Sequence, residues 1–103
     1  MADDIIWHQP GQHSNSGTVV GKEALGAHLA QFSEKTNGTF KVLTNWVSEN
    51  IDLVAANVTF VGTRPDGEEL NMNGIDLFRM EEGKIKEVWL FSSDQAVEDA
   101  FWG

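Results

Sequence analysis

The chain has 103 residues, 41% of them apolar, with four Trp, six Phe and no Cys. That describes one globular domain with a modest core, and the lack of cysteine excludes a disulfide framework, a thiol nucleophile and thiolate metal ligands. Sixteen acidic against seven basic residues leave a net charge of −9, a field that repels polyanions and argues against nucleic-acid and anionic-membrane partners.

The start, MADDIIWHQPG, carries neither the basic nor the apolar stretch of a secretory signal. No apolar run approaches the roughly 20 residues of a membrane-spanning helix, so a cytoplasmic protein is expected. Ile5 to His8 reads as a short strand closed by Gln9-Pro10-Gly11, and Gln12 to Gly17 as a polar loop. From Lys22 to Thr36 the period is helical: Leu25, Leu29 and Phe32 form a stripe with Ala24, Ala27 and Ala30 beside it. Asn37-Gly38 supplies the left-handed residue that ends that helix.

Beyond the helix the chain reads as an antiparallel meander. Thr39 to Ser48 places Phe40, Val42 and Trp46 on one side. Leu53 to Thr63 places Val54, Ala56, Val58 and Phe60 on one face and Asn57, Thr59 and Thr63 on the other. Pro65-Asp66-Gly67 and Glu81-Glu82-Gly83 are hairpin connections around strands Glu68–Met80 and Lys84–Phe91. Asp94 to Trp102 has a short helical pattern through Val97, Ala100 and Phe101. One helix cannot cover both faces of such a sheet. The expected fold is therefore α+β, with a curved antiparallel sheet wrapped over a helix around a pocket, and a homodimer through the outer sheet face.

Asp76 is out of place on its strand. Ile75, Leu77 and Phe78 flank it, and alternation gives it Met72, Gly74, Phe78 and Met80 as same-face neighbours. A carboxyl desolvated in this way has its pKa raised, which suits a general acid near neutral pH. The competing explanation is an Asp at a strand bulge, bonded to backbone amides or to Arg64 or Arg79. Gly74 fits either: it marks a bulge or clears space for a ligand. His8 can shuttle a proton or can be a satisfied strand-end residue. His13 sits in a loop as pocket rim or solvated side chain, and His28 flanks the helix stripe, on the surface. The histidine spacings match no metal-ligand motif, so no metal and no cofactor are expected. Trp7, Trp46, Trp89, Phe78 and Phe91 are the aromatics expected to line the interior, although aromatics at strand period are ordinarily core.

Three stretches together resemble the SnoaL-like polyketide-cyclase family of the nuclear-transport-factor-2-like superfamily of cone-shaped α+β barrels. They are ADDIIWHQPGQHSNSGTVVGKEAL, NGIDLFRMEEGKIKEVW and DQAVEDAFWG. The resemblance implies that Asp76 occupies the acid–base position of the cyclases and the oxyanion-donor position of the ketosteroid isomerases. The isomerase base falls near His8. The implied constellation is His8 facing Asp76 across an apolar cavity, with Trp7, His13, Trp46, Phe78, Trp89 and Phe91 around a small hydrophobic ligand. The sequence departs from the isomerases in having no Tyr and from the epoxide hydrolases in lacking their Arg-x-Asp pair. Such proteins usually carry one or two helices before the first strand, so one wall of the cone is expected to be open, either closed by a partner subunit or left so in a shortened version of the domain. Three functions fit: a cyclase-, isomerase- or lyase-type enzyme using Asp76 and His8, a non-catalytic binder of an apolar molecule, and a dimeric interaction module.

Overall fold

The computed structural model describes residues 1–103. The helical stripe near the N-terminus folds as α1 (Lys22–Lys35), with Leu25, His28 and Phe32 buried. Six strands and a second helix complete the chain: β1 (Ile6–Gln9), β2 (Gly17–Val20), β3 (Lys41–Asn50), β4 (Leu53–Thr63), β5 (Glu69–Glu81), β6 (Lys84–Ser92) and α2 (Gln95–Trp102). The strands form one curved, unclosed sheet in the order β2-β1-β6-β5-β4-β3. No helix is long and apolar enough to cross a membrane.

The β3–β4–β5–β6 meander is antiparallel as expected, and its turns have the chemistry that hairpins demand. Glu82 and Gly83, at φ 53° and 76°, make the tight β5–β6 connection, where two positive-φ residues match the strand twist. At the end of α1, Asn37 and Gly38 both take positive φ, and the Gly38 N–H returns to the Ser33 carbonyl at 2.8 Å. The sheet differs from a purely antiparallel one at β1, which runs parallel to β6. No hairpin joins those two strands, and alternation carries no information about the direction of a distant partner. β2 is short and largely exposed, which leaves no period to read.

A second difference lies in β3. The β3–β4 register shifts between Thr44 and Trp46, after which Trp46 stands opposite Asn57. Such a bulge inserts a residue and turns the following side chains over. Val42 remains on the inner side, while Trp46 moves to the outer face and is 53% exposed.

Two apolar clusters fill the inner side. Ile5, Leu25 and Val88 pack at one end with Trp7, Val19, Phe78, Ile85 and Leu90 against them. Phe32, Leu70, Met72, Phe101 and Trp102 pack at the other, with Phe40 and Phe60. Asp94 caps α2 by accepting from the Val97 N–H at 3.2 Å, and the helix thereby delivers Phe101 and Trp102 to the second cluster.

Gly74 lies at no bulge; it lets two elements approach. A Cβ there would stand 2.3 Å from the Phe91 carbonyl oxygen and 3.0 Å from Phe60 Cε1. The carbonyl belongs to the paired strand and cannot swing aside. Gly74→Ala is therefore expected to lose about 1–3 kcal/mol in urea unfolding; an unchanged midpoint would show that β6 gives way freely.

Candidate functional site

Between the two clusters the inner face leaves an apolar cleft with about 110 Å³ of open volume. Ten of its fifteen lining residues are hydrophobic, among them Trp7, Leu29, Phe32, Phe40, Val58, Phe60, Leu90 and Trp102. Its polar members are few: Gln9, Asp76, Ser92 and Glu98. A cavity of this kind, mostly apolar with a few convergent polar groups, is the usual form of a small-molecule site.

Asp76 comes to the cleft because β5 is central and regular at that point. It faces Ala56 on β4 and Leu90 on β6, so its neighbours across both ladders are aliphatic. Neither arginine reaches it: Arg79 pairs with Glu81 and Glu87, and Arg64 lies 3.9 Å from Asp66. Burial pushes the Asp76 carboxyl up to about 6. The carboxyl is thus half protonated near pH 6, able to donate a hydrogen bond in one form and accept a proton in the other.

His8 does not share this cleft. Trp7 and Gln9 line it, and the residue between them on a strand must point the other way. On the outer face, His8 Nε2 meets Glu87 Oε2 at 2.6 Å and Nδ1 meets Thr18 Oγ1 at 3.2 Å. The ring stacks on Trp89 at 5.5 Å between centroids. Glu87 also accepts from Arg79, and these partners hold its carboxyl below the usual range, His8 first. The expected His8–Asp76 constellation is therefore corrected: a sheet separates the two residues.

The other candidate ligand-binding residues divide. Trp7 borders the cleft. Phe91 brings only its backbone to the inner side, its carbonyl lying against Gly74, and its side chain stands on the outer face opposite Ile75. Phe78 packs instead against the Ile5 cluster, Trp89 is on the outer face with His8, and the β3 bulge takes Trp46 outside. His13 is neither rim nor solvated. Its side chain is fully buried, with Nε2 4.0 Å from Glu98 Oε1, one layer behind the cleft wall. His28 is buried rather than on the surface.

Two cleft residues carry no signal of their own in the strand pattern. Gln9 is oriented by neighbours: its Oε1 accepts from Trp7 Nε1 at 2.9 Å and lies 3.0 Å from His28 Nε2. Indole is only a donor, so the amide oxygen is fixed there and His28 Nε2 must carry its proton. The Gln9 amide nitrogen is left as a free donor at the cleft. Burial lowers the pKa of His28, consistent with its neutral donor form. Glu98 is 5% exposed. Burial raises its carboxyl, the Asp99 and Asp76 charges raise it further, and hydrogen bonds from Gln95 and Ser92 oppose them. The sequence held a clue: Glu98 stands three and four residues before Phe101 and Trp102, on the face they bury.

A cone-shaped α+β sheet enclosing an apolar cleft with one unpaired carboxyl defines the class. The model of the SnoaL-like domain matches residues 1–88, and the chain belongs to that family. A protein of unknown function with cystatin-like fold from Xanthomonas campestris is 45% identical, over 100% of this chain and 80% of its own, with TM-score 0.92. A SnoaL-like protein from Jannaschia sp. CCS1, assigned as a polyketide cyclase, is 22% identical over 100% of this chain and 74% of its own, with TM-score 0.79. An NTF2-like protein of unknown function from Burkholderia pseudomallei is 16% identical over 99% and 79%, with TM-score 0.86. No curated protein matches the chain.

Proposed function

We propose that the protein binds a small hydrophobic carbonyl compound in the cleft and moves a proton on it with Asp76, as a cofactor-independent isomerase, cyclase or lyase does. One observation carries this reading: the Asp76 carboxyl faces an apolar cleft with no charge partner, and its pKa stands at about 6. A carboxylic acid held there donates to a carbonyl oxygen and polarises the neighbouring C–H bonds. The free Gln9 amide offers the same oxygen a second donor. The SnoaL-like family membership favours the same reading, since a polyketide is rich in enolisable carbonyls.

The test uses 2-tetralone, an apolar enolisable ketone, as probe. Binding is expected to raise the melting temperature with ketone concentration, because only the folded state binds, and to perturb the Asp76 carboxyl resonance. Asp76→Asn should keep the apolar contacts and lose the proton transfer. Binding without turnover would leave the non-catalytic reading in place; no binding removes both.

The outer face favours a second copy of the chain as partner. Trp46, Asn57, Ile75 and Phe91 stand opposite one another across β3, β4, β5 and β6, and Trp46 and Phe91 are both more than half exposed. Trp46 at one end of the row and Ile75 and Phe91 at the other give this face apolar area for a two-fold pairing to bury, with the Asn45–Asn57–Thr59 hydrogen bonds between them. Sedimentation should give twice the chain mass, and Trp46→Glu should return it to one. A monomeric parent chain would exclude the dimer.

A further inference from the structure

We infer that Glu98 is the base that partners Asp76 in the cleft, and that the buried side chain of His13 is its positioning residue. The inference rests on the reading of the cleft as a carbonyl site and supplies the second proton-transfer group, the role His8 cannot fill from the outer face.

The geometry begins at His13. Its Nδ1 accepts the Asn15 backbone N–H at 3.0 Å, so the proton of the neutral ring is on Nε2. That N–H is buried without a hydrogen-bond partner, the only such side-chain atom in the structure. The acceptor in front of it is Glu98 Oε1, 4.0 Å away. Buried donors are ordinarily satisfied, and catalytic hydrogen bonds often close only when the ligand arrives. The orphaned donor therefore marks Glu98 as a side chain that settles against His13 once the cleft is filled.

Asp76 and Glu98 are the two carboxyls of one apolar cleft. Two negative charges in such a space repel, and a single proton is held between them. Their surroundings decide where it resides. Glu98 receives Gln95 Nε2 at 3.3 Å and faces the aimed His13 N–H, both of which favour an anion. Until the His13 N–H closes onto Glu98, burial and the Asp76 charge still hold the Glu98 pKa up. That closure is the step that moves the shared proton to Asp76, which has no such donors. Asp99 also faces this pair, while His13 is faced by Asp99, Lys35 and His28.

The step balances on these two groups. The Glu98 carboxylate removes a proton from the carbon next to the bound carbonyl, and the C–H electron pair becomes the enol double bond. The carbonyl π pair takes the Asp76 proton. Transfer of the proton from Glu98 to the conjugated carbon gives the isomerised ketone, and return to the same carbon after Glu98 has traded its proton with solvent gives the exchanged one. In both cases Asp76 reclaims its own proton and both residues are restored.

The experiment measures deuterium uptake into 2-tetralone in D₂O with the full chain, alongside a ¹³C titration of the carboxyl carbons. Glu98→Gln should still bind the ketone and lose at least about 100-fold of the exchange rate, and should lower the Asp76 midpoint by roughly one pH unit. Glu98→Asp, which keeps the charge but retracts it, should fall between. His13→Phe preserves the packing on Phe32 but removes the donor; it should move the rising limb of the exchange profile to higher pH, and His13→Gln should bring it back. Exchange at the parent rate in Glu98→Gln, an unmoved Asp76 midpoint, a parent chain that binds without exchanging, or an unmoved limb in His13→Phe overturns the assignment of the residue concerned. Failure of the carbonyl reading has a different signature: 2-tetralone does not bind at all.

Discussion

At pH 8 the Asp76→Asn variant is expected to be more stable than the parent chain by about 2 kcal/mol while losing at least about 100-fold of its proton-transfer rate. The two effects have one cause. Burial raises the Asp76 pKa from 3.8 to about 6, so between those values the folded protein binds a proton that the unfolded chain releases. Stability is then greatest below pH 3.8 and declines as the pH rises to about 6, where the loss becomes constant. Integrated over that window the loss is about 3 kcal/mol. Water reaching the open cleft screens part of it, which leaves about 2.

An amide in the same place never ionises and escapes that loss. Urea unfolding of the two proteins should give curves that coincide at pH 3.5 and separate steadily between pH 4 and pH 6.5. A constant difference across the range would mean that the carboxyl is solvated in the folded state, and the acid role would go with it. The same substitution should convert a proton-transfer site into a plain binding site, because the amide still donates to a carbonyl oxygen but has no proton to give up. Gain of stability with loss of rate is the pattern of a residue retained for chemistry.

Asp76 was legible in the sequence because it breaks an apolar strand, and a regular central strand allows no escape from the implied burial. The β3 to β6 meander was legible from its turns. His8 was not, and the error is instructive: Trp7 and His8 are adjacent on one strand and cannot both face the cleft, so the position that reaches it is Gln9. Trp46 was lost to a bulge, which no alternation of side chains announces. Glu98 was hidden by a different ambiguity. In a short helix the stripe through Val97 and Phe101 and the stripe through Glu98, Phe101 and Trp102 are equally periodic, and only the docking of α2 onto Phe32 selects the second. His13 was hidden because its role depends on a pairing between a loop and the last helix, 85 residues apart in sequence.

That docking makes Phe32 the residue whose truncation should cost the most. Its ring meets Trp102 edge-on at 4.6 Å and stacks on Phe40 at 5.8 Å. His28 and His13 approach its other sides at 5.2 and 6.4 Å. It is thus the point where α1, α2, the start of β3 and the loop holding His13 converge, and it forms part of the cleft wall. Phe32→Ala should lower stability by about 3–5 kcal/mol, a large share of the roughly 5–15 kcal/mol available to a domain of this kind. The melting temperature should fall by more than about 10 °C. Leu29→Ala, three residues earlier on the same wall but 38% exposed, should cost under about 1 kcal/mol. Phe32→Leu should retain the fold and lie between them. If Phe32→Ala proved no worse than Leu29→Ala, α2 would not be anchored through this ring, and the placement of Glu98 that depends on the same helix would need another support. If the order holds, Phe32→Leu gives a second reading: loosening the ring frees the His13 and Glu98 side chains that pack around it, so proton transfer should fall more than ketone binding.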